Sequence, residues 1–239
     1  MVAIDDDHDT SPDARASGAF YGRRKGHALR PRQAELFASL LPRLALDLTV
    51  PAPKNLAALF PGGVDRVDLE IGFGSGEHFL ARAQVNPQTG FIGCEPFVNG
   101  MAKALVAIET LRLDNIRLHH GDATELLAWL PPAALSRIDL LYPDPWPKRR
   151  HWKRRLIQDA SVATLARVLK PGAEFRFATD WSDYAAWALE RLLRSPAFVW
   201  TAERADDWRR PWPDFSRTRY EAKALREQRT PCYLTFRRV

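Results

Sequence analysis

Asp68-Leu69-Glu70-Ile71-Gly72-Phe73-Gly74-Ser75-Gly76 is the stretch that decides the fold. Asp68 to Ile71 end a short strand-like run, three glycines alternate with single residues, and a helical pattern starts directly behind them. Glycines in such a turn let the backbone approach a ligand closely, and the helix N-terminus that follows offers free N–H groups. Outward from the turn, apolar runs alternate with helical patterns. Strands are predicted near 66–71, 90–95, 116–121, 137–142, 173–179, 197–202 and 232–238. Helices fit near 76–86, 97–111, 124–130, 155–169, 182–194 and 219–228. Asn86-Pro87 stops the first helix and Lys170-Pro171-Gly172 the fourth. This alternation predicts an α/β fold, a doubly wound sheet with helices on both faces. Ligands of such sheets bind at the carboxyl ends of the strands near the switch point, where the glycine turn lies.

The 239 residues suffice for one large domain with appendages. Residues 1–19 hold five aspartates against Arg15 alone, a composition expected of a disordered acidic tail. Because that tail has a net charge of −4, the rest carries +10 although the whole chain has only +6. A body this basic calls for an anionic partner, most commonly nucleic acid. Residues 20–60 read as a basic arm (Arg23, Arg24, Lys25, His27, Arg30, Arg32) leading into an amphipathic helix that Pro42 bends or breaks, and 61–239 as the main domain. No apolar run is long enough to span a membrane and the N-terminus is acidic, so the expected location is cytoplasmic, without a membrane partner. Cys94 and Cys232 lie in apolar strand-like contexts and are expected as buried thiols.

Glycine spacing separates two ligand classes. A dinucleotide turn needs a glycine three residues after Gly74, where this chain has Glu77. The pattern acid-x-G-x-G-x-G resembles instead the first motif of methyltransferases that use S-adenosylmethionine, which makes Glu70, Gly72, Gly74 and Gly76 candidate cofactor residues. Glu95 closes the second strand 25 residues after Glu70, where a carboxylate accepts both hydroxyls of a ribose. Asp122 follows the third strand, at the place where that fold reads the adenine amino group. His119 and His120 are adjacent in a strand and point to opposite faces, so they cannot chelate together, and no metal site is expected.

A second stretch, Ile138 to Arg155, reads I-D-L-L-Y-P-D-P-W-P-K-R-R-H-W-K-R-R. A strand end runs into a rigid Pro-Asp-Pro-Trp-Pro segment, and six of the next eight residues are cationic. Asp144 and Trp146 each precede a proline, so both are expected to be extended and restricted. The cations Arg149, Arg150, Lys153, Arg154 and Arg155 are candidates to neutralise the phosphates of a polyanion, with Trp146, His151 and Trp152 interleaved for stacking.

From about Phe20 to the C-terminus the chain closely resembles the tRNA (guanine-N7)-methyltransferase family. The resemblance is carried by Glu70 to Gly76, by Asp144-Pro145-Trp146-Pro147-Lys148 with its basic tail, by Ala178-Thr179-Asp180 and by Thr218-Arg219-Tyr220-Glu221. The Asp-Pro-Trp segment is its specific part. The acidic tail lies outside the pattern. The resemblance implies a Rossmann-like class I methyltransferase fold with a seven-stranded, mostly parallel sheet. It further implies an enzyme that methylates N7 of guanosine 46 in the tRNA variable loop, with tRNA as partner and no protein partner evident. Glu70, Glu95, Asp122 and Asp144 would line the S-adenosylmethionine site, with Asp144 as the catalytic carboxylate. Lys148, Asp180, Thr218, Arg219, Tyr220 and Glu221 would hold the target nucleotide.

Chemistry agrees in outline. Guanine N7 has an in-plane lone pair, so no proton need be removed first, and the protein has to align the reactants and stabilise the positive charge arriving on the base. Asp144, Asp180 and Glu221 are all candidates to accept from guanine N1–H and the N2 amino group. Trp146 and Tyr220 are candidate stacking surfaces for an unstacked base. Two other readings stay open: a methyltransferase acting on an exocyclic or amide nitrogen, whose loop commonly reads Asn-Pro-Pro-aromatic, and a non-catalytic RNA-binding module on the same fold.

Overall fold

The computed structural model describes residues 21, 22 and 24–239; the expected tail and Arg23 lie outside them. The elements run α1 (Pro31–Ser39), α2 (Leu41–Leu44), β1 (Arg66–Ile71), α3 (Glu77–Val85), β2 (Thr89–Cys94), α4 (Val98–Leu111), β3 (Ile116–His119), α5 (Ala123–Trp129), β4 (Leu135–Leu141), α6 (Asp159–Val168), β5 (Leu169–Thr179), α7 (Ser182–Arg194), β6 (Phe198–Trp200), α8 (Asp206–Arg209), α9 (Arg219–Arg226) and β7 (Cys232–Arg238), with 3-10 turns at Leu56–Leu59 and Arg149–Arg154. They build one seven-stranded sheet in the order β3-β2-β1-β4-β5-β7-β6. The first five strands in this order pair in parallel, and β7 runs antiparallel between β5 and β6. The mostly parallel α/β sheet is the one the alternation predicts. Every residue of β1 after Arg66 is buried, as for a parallel strand covered on both faces.

The order reverses between β1 and β4, so a crevice opens at their carboxyl ends. Ile71 lies in register with Leu140, so the glycine turn after β1 and the Asp-Pro-Trp segment after β4 leave the sheet side by side.

Alternation along the strands sorts the two faces. Val67, Leu69, Ile71, Ile138, Leu140, Phe175 and Phe177 pack with α5, α6 and α7. Phe91 and Leu118 belong to a second cluster with α1, α2, α3 and α4, which Leu36, Leu41 and Leu44 share with Phe79, Met101 and Leu105. The arm helix is therefore part of the core, and Ala45 bridges Leu118 beyond the sheet edge. Pro42 stands in the first turn of α2 and divides it from α1, the expected break.

Two boundaries differ from expectation. The helix predicted over 155–169 begins only at Asp159: Arg155 is extended (φ −61, ψ 136) behind the 3-10 turn, and Gln158 with Ser161 forms the N-terminal cap. Lys170-Pro171-Gly172 lies within β5 and forms an irregularity there, because the pairing of β4 with β5 skips from Leu135↔Leu169 to Arg137↔Glu174. Cys94 and Cys232 are buried free thiols. No helix among the described residues is long and apolar enough to cross a membrane.

Candidate active site

The turn after β1 needs its glycines: Gly72, Gly74 and Gly76 have φ of 72°, 61° and 86°, a region that costs a residue with Cβ roughly 1–2 kcal/mol. A Cβ built on Gly72 meets nothing within 4 Å, so open space faces the turn there. On the other side a Cβ on Gly100, in the first turn of α4, would come within 2.5 Å of the Gly74 carbonyl, so that backbone approach also depends on glycine.

Glu95 follows β2 and closes onto the same turn. Its two oxygens accept from Gly74 N (2.6 Å) and Phe97 N (2.8 Å). Burial raises its carboxyl from the ordinary 4.5 to about 7 against the lowering effect of those two bonds; the Arg219 cation lowers it too, and the nearby Asp144 charge raises it. Asp122 caps α5, its Oδ1 accepting from Thr124 N (2.8 Å) and Oγ1 (2.9 Å). Glu95 and Asp122 thus stand just past the ends of adjacent strands, β2 and β3, with Glu95 bonded to the glycine turn itself. Open space at Gly72 and two strand-end carboxylates fit an adenosyl group, while the Gly72, Gly74 and Gly76 N–H groups already donate to Cys94 O, Glu95 and Phe73 O and fix the turn.

Glu70, expected from the sequence to line the cofactor site, lies near the end of β1, one residue before Ile71 and the glycine turn. It is 4% exposed and its Oε2 lies 2.9 Å from His78 Nδ1 on α3. On the same sheet face Arg82 donates to Asp68 and Asp139, both at 2.6 Å. Donor atoms of Glu70, His78 and Asp139 lie within 4.8 Å of one another, and the Arg82 guanidinium on Asp139 already brings positive charge to that group. Sequence reasoning missed His78 and Arg82. A signal existed: four residues apart on a helix, they share the face that covers inward-pointing Asp68 and Glu70.

Asp144 lies between two strained aromatics. Tyr142 and Trp146 have φ of 49° and 46°, and each precedes a proline. The expected extended conformation of Trp146 is thereby corrected: the residue is left-handed, and its ring lies 5.0 Å from the Arg154 guanidinium and edge-on to His151. Such conformations persist only where the surroundings over-determine them. Asp144 is exposed, yet the protein around it raises its carboxyl by desolvation. Among the described residues no hydrogen bond or ion pair engages it.

The basic run divides. Lys148, Arg149, Arg150 and Lys153 are exposed. Arg154 is half-buried, its guanidinium between the rings of Tyr21 (5.1 Å) and Trp146. Arg155 corrects the expectation of an RNA-binding cation. It is 2% exposed, donates to Pro145 O (2.8 Å) and Asp183 (2.7 Å), and presents nothing to a polyanion.

The C-terminal motif comes back over the glycine turn. Around a Cβ built on Gly74, Tyr220 Cε2 would lie at 3.4 Å and Arg219 Nη2 at 3.5 Å. Tyr220 is 44% exposed, with the Arg219 guanidinium over its ring at 4.8 Å and donating to its hydroxyl (2.9 Å). Thr218 caps α9 by accepting from Glu221 N (3.1 Å). Glu221 is buried, with one oxygen bonded by Tyr233 Oη and the other by Arg217 Nε (3.1 Å). Asp180 accepts from Arg229 Nε at 2.6 Å.

A family model described as "Putative methyltransferase" matches residues 65–234. Among solved structures, the chain is similar to the 16S rRNA methyltransferase KamB (TM-score 0.56, 16% identity, 80% of this chain and 96% of that one). It is also similar to TrmN from Thermus thermophilus (TM-score 0.51, 16% identity, 74% and 45%). At that identity the likeness establishes the fold. Curated relatives are far more similar. A tRNA (guanine-N(7)-)-methyltransferase of Rhodopseudomonas palustris (strain BisA53) is 60% identical over 94% of this chain and 90% of its own length. Proteins of the same name from Nitrobacter hamburgensis and Bradyrhizobium diazoefficiens are 62% and 61% identical over 92% of this chain, covering 87% and 93% of theirs. With identity this high sustained along nearly its whole length, the chain belongs to the tRNA (guanine-N(7)-)-methyltransferase family.

Proposed function

We propose that this protein methylates N7 of a guanosine in tRNA, guanosine 46 of the variable loop, using S-adenosylmethionine, and that it does so in the cytoplasm. The observation that carries this reading is the setting of Asp144: a carboxylate with no hydrogen bond or ion pair among the described residues, between two strained aromatics, near enough to Glu95 for its charge to raise that carboxyl, and followed by exposed cations.

S-adenosylmethionine, when bound, supplies an electrophilic methyl group on a positively charged sulfur. Glu95 is suited to accept from the ribose hydroxyls, Asp122 from the adenine amino group, and the Gly72 to Gly76 backbone to lie along the remainder. Glu70, with one oxygen held by His78, is suited to line the cofactor beside that turn. N7 attacks with a lone pair it already has, so Asp144 is needed as a fixed negative charge facing the base as positive charge arrives there, not as a strong base. Of the three carboxylates considered for the guanine edge, Asp180 and Glu221 are already engaged by Arg229, Tyr233 and Arg217, which favours Asp144 for that contact. Tyr220, exposed above Gly74, offers a surface for the extruded base, while Lys148, Arg149, Arg150 and Lys153 offer charge to the RNA backbone.

Incubation with labelled cofactor and bulk tRNA, followed by digestion to nucleosides, tests the assignment. The expected label is in 7-methylguanosine, and it disappears with a tRNA transcript carrying adenosine at position 46. Label in an exocyclic-amino nucleoside, or none at all, overturns it.

A further inference from the structure

Resting on the reading of Asp144 as the carboxylate at the transfer site, we infer that Arg155 is a positioning residue for the Asp144 loop and contributes nothing to RNA binding. It ends the basic run in sequence, yet its side chain has no exposed surface. Its guanidinium is enclosed by the rings of Trp152 (4.8 Å), Tyr184 (4.8 Å) and Trp187 (5.2 Å) and is paired with Asp183 in the first turn of α7. That cage is itself fixed: Trp187 Nε1 donates to Ile157 O (2.7 Å), and Tyr184 Oη accepts from Ile157 N (3.3 Å). From this anchored position Nε donates to the Pro145 carbonyl, between Asp144 and left-handed Trp146.

The contact answers a need of the loop. Pro143, Pro145 and Pro147 have no N–H to donate, so the segment cannot hold itself with ordinary backbone bonds, and two of its residues sit in a disfavoured region. Holding the Pro145 carbonyl fixes the peptide plane that joins Pro145 to Trp146, and with it the direction in which the neighbouring carboxylate leaves the chain. A planar guanidinium does this while its other arm holds Asp183; an ammonium has no such fork.

Arg155→Lys tests the inference by steady-state kinetics with tRNA. The expected result is a kcat lower by on the order of 10- to 100-fold, the scale of a small misplacement at a reacting centre. KM for tRNA, its salt dependence and cofactor affinity are expected to stay within about twofold of the wild type, since no phosphate contact is lost. Arg150→Ala is expected to behave oppositely, raising KM and flattening the salt dependence. Hydrogen exchange at the Asp144, Trp146 and Lys148 amides is expected to quicken in R155K at unchanged exchange in β1. An unchanged kcat and unchanged exchange in folded R155K overturn the inference, as does a loss confined to KM with a shallower salt slope. Should R155K fail to fold, Asp183→Asn, which loosens the same anchor from a half-exposed position, is expected to lower kcat and quicken the three amides; no change in either overturns the inference. Nucleoside analysis of the wild type separates the two claims. If the product is a different methylated nucleoside, kcat is read on that product and Arg155 is still tested; if no methyl is transferred, the functional reading falls and amide exchange alone decides.

Discussion

At Glu95 the chemistry of one side chain links pH to ligand binding. Its carboxyl is raised to about 7 by burial, so between pH 4.5 and 7 the folded chain binds more protons at this site than the unfolded chain. The contribution of Glu95 to stability therefore falls as pH rises through that window. A ribose donates two hydroxyls and is best met by the ionised form, so cofactor affinity is expected to rise with pH and to be about tenfold weaker at pH 6 than at pH 8. Calorimetric titration across this range checks it, and Glu95→Gln should give a flat profile. At Asp144 the expectation concerns rate: Asp144→Asn keeps the shape and removes the charge, and should lower kcat by about two to three orders of magnitude at unchanged KM for tRNA. Single-turnover assays that found wild-type rates would take Asp144 out of catalysis. The placement of both acids just past strand ends was legible in the sequence, because the apolar runs before them mark β2 and β4. Arg155 was not, since a cation's position in a basic run says nothing about which rings close around it. Trp146 was misread because the pre-proline preference for extended backbone is weak enough for tertiary contacts to override.

Among the elements, β1, β4 and α3 carry a load that composition does not reveal. Asp68 and Asp139 point to the same face from neighbouring strands, and Arg82 reaches down from α3 to bond both. The loop before α9 adds Asp214, which accepts from Arg137 (2.7 Å) and Arg176 (2.7 Å). Removing one partner leaves buried charges uncompensated, so Arg82→Met is expected to cost about 3–5 kcal/mol in stability. Urea denaturation measures this as a lower midpoint, and a loss below about 1 kcal/mol would mean that the carboxylates are not relying on Arg82. The strands themselves were readable from apolar runs, whereas the partners of the charges on the inner face were not, because Asp214 reaches Arg137 from 77 residues away. The same limit applied to the helix predicted from 155, where periodicity continued through residues whose backbone is extended.

For the molecule as a whole, charge and topology divide the work: acids stand at the carboxyl ends of β1, β2 and β3 around the glycine turn, and the segment after β4 presents cations. Charge reversal at Arg150 together with Lys153 is expected to weaken tRNA binding at low salt and to flatten its salt dependence by about two phosphate contacts, with cofactor affinity unchanged. Filter binding over a range of potassium chloride concentrations checks this, and an equal collapse of cofactor binding would show the run to be structural. The doubly wound sheet and its crevice followed from the sequence, but the N-terminal helices looked like an appendage because their apolar stripe gives no hint of what it covers.

That stripe bears on how the protein can be cut and recombined. The segment shared with the broad methyltransferase model spans 65–234, yet Leu36, Leu41 and Leu44 fill the cluster over α4, and Arg238 and Val239 bond back to Ala166 and Ala197. A fragment trimmed to those limits would uncover the apolar surface of α4 against which α1 packs and should be recovered as aggregate. Chimaeras exchanged between relatives therefore need their junctions upstream of Pro31 and beyond β7.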